Sequence, residues 1–169
     1  TIANQGAIAV GKNNTLMAQV PVTVTDRNGD GKFTYDEAMV AAHEAYYVEG
    51  KDGFELNASS GWVTKLWGDE GSSSYYQNNA SFSELVNAQT IENGDDLSAF
   101  VFSDDSGYSD KYSFFDQSTV SVKTGEKLTL NLQGMGYDSE WNLVAAPAGN
   151  AALITVDKEG AFHELNVTT

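Results

Sequence analysis

The sequence predicts an α+β, mainly β fold: a compact β-sheet or sandwich-like module with one main helix following a calcium-binding loop. Three observations carry that expectation. Short apolar runs with period-two alternation recur between Gly-, Asn- and Asp-rich turns. A single long stretch, 35–47, has helical spacing, and directly before it stands a run of oxygen-bearing residues with the order of an EF-hand loop.

In chain order, Val20, Val22 and Val24 alternate with polar residues over 19–25, the pattern of a half-buried strand. Pro21 points to an edge or first position, and the apolar run 7–10 is its candidate partner. Residues 35–47 (YDEAMVAAHEAYY) combine good helix formers with Met39, Ala42, His43 and Tyr46 at helical spacing, and place Asp36 and Glu37 where the helix dipole favours acids. A polar connection over 50–61 leads to a short strand over 62–67, ended by the turn Gly68-Asp69-Glu70-Gly71. Ser81 followed by Glu84 forms a capping-box pattern, which predicts a second short helix over 81–87. Asn93-Gly94-Asp95 supplies a turn before the apolar run 97–102, and β-type patterning resumes at 119–122, 127–132 and 141–144. Pro147-Ala148-Gly149 interrupts the pattern, and 152–156 with 161–167 predict a last hairpin around Lys158-Glu159-Gly160. The expected organisation is a calcium-stapled β-rich module over 1–147, with the hairpin over 148–169 either part of it or the start of a second lobe.

The chain of 169 residues carries 24 acidic and 9 basic side chains, a net charge of -15. That surplus repels phosphate backbones and anionic lipid, so neither nucleic acid nor membrane insertion is expected. No apolar stretch approaches the roughly 18 to 20 residues that span a bilayer. The absence of cysteine excludes disulfides, thiolate chemistry and cysteine zinc sites, leaving oxygen and imidazole as ligands. Abundant Asn, Ser, Thr, Gly and Tyr with sparse Lys match bacterial surface proteins, so a secreted or cell-surface location is expected. A first residue of Thr1 reads as a piece of a larger multidomain protein, in which the module is a monomer. The glycosylation-type triplets at Asn13, Asn57, Asn79 and Asn166 read as chance in an Asn-rich chain.

The segment Asp26-Arg27-Asn28-Gly29-Asp30-Gly31-Lys32-Phe33-Thr34-Tyr35-Asp36-Glu37 fits the twelve-residue EF-hand loop. Asp26, Asn28 and Asp30 present side-chain oxygens on alternate residues, and Gly31 permits the sharp turn. Lys32 supplies its carbonyl, Thr34 a direct or water-borne oxygen, and Glu37 two oxygens from the start of the helix. Phe33 is expected to anchor the loop in the core. Hard oxygen ligands in this number select Ca2+ over zinc or copper. An Asp/Asn/Gly turn can arise for local reasons alone, but such a turn does not also place Glu37 at the twelfth position. A strand precedes the loop and no second loop pairs with it, so the ion is read as structural, stapling the strand to the helix. A second oxygen-rich run, Asp104 to Asp110, reads as a solvated acidic turn.

Eight Tyr, eight Phe and three Trp are generous for this length. Many of them neighbour Gly, Ser, Asn or Asp, an arrangement that can display flat rings near loops. Such rings stack on the C–H faces of a pyranose while nearby amides bond its hydroxyls. The best grouping for carbohydrate is Trp67, Tyr75, Tyr76, Gln77, Asn78 and Asn79, with Trp62, Tyr137 and Trp141 as further candidates. The competing reading places these rings in the core of a small β protein. No Gly-rich phosphate loop, nucleophile elbow or metal-spaced histidine pair is present, so the chain is not expected to be an enzyme. Among 24 acids some pair stands at a glycosidase separation by accident, so abundance nominates no catalytic pair. His43 reads as a packed or surface helix residue, and His163 has no companion.

From VTVTDRNGDGKFTYDEAMVAAHEAYY, through WVTKLWGDEG and YYQNN, to NGDDLSAFVFSD and GYDSEWN, the chain resembles EF-hand-loop-containing modules of exported cell-surface proteins of gut bacteria, over about residues 20–147. The resemblance implies a calcium loop followed by a compact β region. The Asn93-Gly94-Asp95 turn leading into 97–102 is also similar to the transcobalamin-like, β-grasp-type domains of such proteins. Some of these architectures are starch-adherence modules of amylosomes, which implies a neutral polysaccharide or oligosaccharide partner, specifically a starch-type glucan or maltooligosaccharide. Dockerins carry two calcium loops in tandem, and this chain has one. Three readings therefore stand in order: a non-catalytic, calcium-stabilised carbohydrate-binding module, a structural or adhesive spacer with protein partners, and a glycoside hydrolase with an unassigned carboxylate pair.

Overall fold

The computed structural model describes residues 2–3, 7–11, 14–117, 119–148, 153–157 and 161–165. In chain order its elements are β1 (Ile2–Ala3), β2 (Ala7–Gly11), β3 (Asn14–Val20), α1 (Tyr35–Tyr46), a 3-10 turn (Gly50–Gly53), β4 (Glu55–Leu56), β5 (Val63–Lys65), β6 (Ser73–Gln77) and β7 (Leu97–Val101). There follow β8 (Tyr112–Phe115), β9 (Thr119–Val120), β10 (Leu132–Tyr137), β11 (Leu143–Ala145), β12 (Leu153–Val156) and β13 (Phe162–Leu165). The fold is α+β and mainly β, as the alternating runs predict. The described helix is too short to cross a membrane. The chain divides into two compact units, Thr1–Asp110 with Ser118–Ser121 and Lys111–Gln117 with Val122–Thr169. That division falls inside the span 1–147 that the sequence pattern treats as one module.

The first unit is built on a four-stranded sheet in the order β3-β2-β7-β6. β2 runs antiparallel to β3, with Ala7 opposite Val20, and parallel to β7, with Ile8 opposite Ser98. Parallel pairing of β2 with β7 requires a long crossover, and the chain between them contains α1. Tyr35, Ala38, Met39 and Ala42 recur at helical spacing and bury that face of α1 with Met17, Leu97, Ala99 and Val101. Tyr35 has no exposed surface, and its hydroxyl donates to the Ser98 carbonyl at 2.7 Å, joining the first turn of the helix to the sheet.

Two expected elements differ here. Pairing of β3 ends at Val20, so 21–25 is extended but outside the sheet, because Pro21 has no N–H to continue the ladder. The alternation nevertheless persists, with Val22 and Val24 half-buried and Thr23 and Thr25 exposed. The helix expected over 81–87 is absent: the segment makes turns, with the N–H groups of Ala88 and Gln89 donating to Leu85 O at 2.8 and 2.9 Å. Its carbonyls serve α1 instead. The N–H of Tyr35 donates to Gln89 O at 2.9 Å and that of Asp36 to Val86 O at 3.1 Å, satisfying two amides that a helix start leaves without intrahelical partners.

β4 and β5 form a small antiparallel pair, followed by a tight turn in which Leu66 and Asp69 exchange hydrogen bonds of 2.9 and 3.0 Å. Its central residues, Trp67 (φ 52) and Gly68 (φ 75), are both left-handed, the conformation of a type I′ turn. A tryptophan holds that position because three contacts fix it. The Tyr47 hydroxyl donates to Trp67 O at 2.7 Å, the Trp67 N–H donates to His43 Nε2 at 3.0 Å, and the indole stacks on the His43 ring at 3.8 Å and 7°. His43 is wholly buried, and its Nδ1 bonds Met39 O at 2.7 Å, so Nδ1 carries the proton and Nε2 accepts. Burial lowers its pKa to about 4.

The second unit holds the antiparallel sheet β8-β10-β11 and the hairpin β12-β13, the latter where the sequence places its last hairpin. β10 begins at Leu132, so 127–131 is not strand and the strand expected over 127–132 lies five residues later. Gly134 and Gly136 are buried within it, and a Cβ on Gly134 would lie 2.6 Å from the Ala146 carbonyl. Close backbone approach, with no side chain at these positions, leaves that strand without an apolar signature.

Candidate functional site

The loop 26–37 links the extended segment 21–25 to α1, and its side chains curl it around its own amides. Asp26 Oδ1 accepts the Gly29 N–H at 2.7 Å and Oδ2 the Gly31 N–H at 2.8 Å. Asn28 Oδ1 accepts from Asp30 N–H at 2.9 Å, and Asp30 Oδ1 from Lys32 N–H at 2.8 Å. The bonds at Asn28 and Asp30 close short Asx-type turns, and the Asp26 bond to Gly31 spans them. Gly29 (φ 75) and Gly31 (φ 83) take the left-handed conformations these turns demand.

Glu37 lies at the other end of the loop on the first turn of α1. It is 4% exposed, with Oε1 accepting the Arg27 N–H at 2.6 Å and Oε2 the Thr34 N–H at 3.1 Å. Among the described residues no cationic side chain pairs with it, since the Arg27 guanidinium binds Glu44. Thr34 directs its hydroxyl to Asp36 Oδ1 at 2.6 Å. Phe33 departs from expectation: it is 46% exposed, and the loop is anchored by backbone, with the Ile91 N–H donating to Phe33 O at 3.0 Å and Thr34 bridging Thr90.

The donor set suits a hard, oxygen-seeking cation in type and order: side-chain oxygens of Asp26, Asn28, Asp30, Thr34 and Glu37 with the Lys32 carbonyl. As they stand, no three His, Cys, Asp or Glu side chains among the described residues form a group able to hold a metal. Asp26 and Asp30 direct their oxygens to the loop's own amides.

The aromatic grouping expected around Trp67 is not a surface. Trp67 is 4% exposed and Tyr76 2%, and both belong to the interior. The indole Nε1 of Trp67 is buried with no hydrogen-bond partner among the described residues, a cost of about 1–3 kcal/mol that the stack on His43 and the main-chain bonds offset. Tyr76 stacks on Phe100 at 6.3 Å. Tyr75 meets Tyr35 edge-on at 5.7 Å and bonds Ser73 through its hydroxyl, and burial raises its pKa to about 12. The amides of Gln77 and Asn78 are engaged as well, donating to Asp95 at 2.6 and 2.8 Å. Burial raises the Asp95 pKa, but bonds from Asn78, the Glu92 N–H and Gln77 outweigh it and hold the carboxyl below its ordinary value. Alternating polar and aromatic letters here encode a core with a satisfied polar edge.

Three expected rings are exposed. Trp62, 68% exposed, stands at the β4–β5 connection of the first unit, where Asn57 and Trp62 share a 2.8 Å main-chain bond. In the second unit, Tyr137 (42%) and Trp141 (58%) flank the β10–β11 turn with ring centroids 6.5 Å apart. Asp138 organises that turn, accepting the N–H groups of Asn142 at 2.9 Å and Glu140 at 2.8 Å, and these bonds lower its pKa. Trp141 is left-handed at φ 65, which no sequence pattern announces. The run 104–110 closes on itself: Asp104 accepts from Gly107 N–H, Ser109 and Ser106, which lower its pKa to about 2. Most of its residues are exposed.

Comparison with protein-family models, with curated proteins and with solved structures yields no match for this chain.

Proposed function

We propose that the chain is a non-catalytic binding module of an exported bacterial surface protein, its first unit organised by one structural calcium ion at Asp26, Asn28, Asp30, Lys32, Thr34 and Glu37. The observation that carries this reading is Glu37, a buried acid whose partners among the described residues are two main-chain amides and no cation. A carboxylate withdrawn from water costs several kcal/mol unless it is neutralised. A divalent ion supplies that neutralisation, and the chain's part is to bring the oxygens together through the Gly31 turn and the fixed start of α1. The test is calorimetric titration of chelator-treated protein with calcium, alongside thermal melting. One site is expected, with a stabilisation of about 2.7 kcal/mol once free calcium exceeds Kd a hundredfold. Glu37→Gln should abolish both signals, and no heat with an unmoved Tm in the wild type would refute the site.

The ligand we assign is a neutral glycan of the starch type, met by the Tyr137 and Trp141 rings. Trp141 favours it. A bulky residue in a left-handed conformation carries strain of about 1–3 kcal/mol, which Gly or Asn would avoid, and here the ring is displayed rather than buried. Affinity electrophoresis in gels containing amylopectin should retard the wild type and not Trp141→Ala. Unchanged migration in every polysaccharide tried would favour the spacer reading, and new reducing ends on incubation with glucans would favour a hydrolase.

A further inference from the structure

We propose that the groove between residues 20–25 and 91–97 of the first unit is a strand-addition site that takes an extended, Lys-flanked polypeptide segment of a partner protein. The groove encloses about 650 Å³, and its apolar lining includes Val20, Val22, Val24, Phe33, Met39 and Ile91. Volume and apolarity alone would suit many ligands. The main chain narrows the choice.

On one wall, 21–25 is extended, alternates half-buried and exposed side chains, and lies outside any sheet. Among the described residues nothing bonds the main-chain N–H or C=O groups of Val22, Thr23, Val24 and Thr25, whereas the Pro21 carbonyl is held by the Tyr46 hydroxyl at 2.7 Å. On the other wall the amides are already engaged: Ile91 with Phe33 O at 3.0 Å, Glu92 with Asp95 Oδ2 at 2.7 Å, and Asp96 with Asn78 Oδ1 at 2.9 Å. A ligand that completes this groove brings a row of its own donors and acceptors along one side and apolar groups every second position toward the floor. An extended polypeptide has that pattern, and a small apolar molecule does not. Glu92 and Asp95 line the groove, no Lys or Arg does, and the chain carries a net charge of -15, so basic flanking residues complement it. This site is independent of the glycan reading and borders the loop 26–37 through Phe33, so binding is measured at fixed calcium.

The probe is a fluorescent peptide, Lys-Lys-Val-Thr-Val-Thr-Val-Lys-Lys, measured by anisotropy against the whole chain. Saturable binding is expected, with slowed amide exchange at Val22 to Thr25. Affinity should fall about tenfold or more when alternate peptide amides are N-methylated, because each lost hydrogen bond is worth about 1 kcal/mol. Val22→Lys, checked for an unchanged melting profile, should weaken binding similarly, and a Glu-flanked peptide should not bind. Equal binding of the N-methylated peptide, or its displacement by an apolar naphthalene dye with no change in exchange at Val22 to Thr25, would overturn strand addition in favour of an apolar small-molecule pocket. Dimerisation in sedimentation that Val22→Lys abolishes would assign the groove to a second copy, and no binding by any peptide would refute the site.

Discussion

Acidification should weaken the first unit through His43 before its carboxylates are neutralised. The imidazole is wholly buried, with Nε2 accepting the Trp67 N–H and Nδ1 bonded to Met39 O, and the loss of hydration outweighs the Met39 and Gly53 carbonyls that favour its charged form. Its pKa falls from 6.5 to about 4 on burial. The unfolded chain therefore takes up a proton below pH 6.5 that the folded chain refuses until about pH 4. Stability is complete above pH 6.5 and declines as pH falls, by about 1.4 kcal/mol per unit and about 3 kcal/mol in all. Guanidinium denaturation from pH 7 to 4.5 at fixed calcium, monitored by tryptophan fluorescence, measures the slope. His43→Gln removes the titrating group, so it should start less stable and show little slope in that window. His163 is common to both proteins and cancels. Equal slopes in wild type and variant, or a His43 ring resonance titrating near its ordinary value, would refute the argument.

Three further outcomes follow from the packing. Gly68→Ala places a Cβ at φ 75 against the Tyr47 hydroxyl, and should cost more than about 1 kcal/mol in thermal melting. Trp67→Ala empties an interior position and should cost about 3–5 kcal/mol, whereas Trp141→Ala should cost about 1 kcal/mol while removing glycan retention. Glu84→Ala should change stability by less than about 0.5 kcal/mol, because no helix is capped there; a loss near 1 kcal/mol would restore the capping-box reading.

The helix over 35–46 was legible because every local signal agrees: formers throughout, acids in the first turn, and an apolar stripe at helical period that meets the sheet. The run 81–87 carries one such signal and lacks the rest, and tertiary demand for the carbonyls of Val86 and Gln89 prevails. Residues 132–137 were illegible for the opposite reason, since their pairing depends on glycines that have no hydropathy to read. At the aromatic positions, composition could not separate core from display. Trp67 and Trp141 both sit beside polar letters and both are left-handed, yet one stacks on a buried imidazole and the other projects outward. The distinction lies in His43, which is distant in sequence from Trp67 and adjacent in space. The loop 26–37 was readable in order and donor type, while the solitary burial of Glu37 and the exposure of Phe33 depend on neighbours at 90 and 91.

The opening amides of α1 are held by residues 86 and 89, and its first tyrosine by Ser98, so none of these ties runs through 26–33. The turn ahead of the helix is in that respect a cassette. A lanthanide-binding sequence of the same length transplanted there, with Arg27 and Phe33 kept for their ties to Glu37, Glu44 and Ile91, would leave the helix origin where it is, which makes this bend a natural place to graft a luminescent reporter.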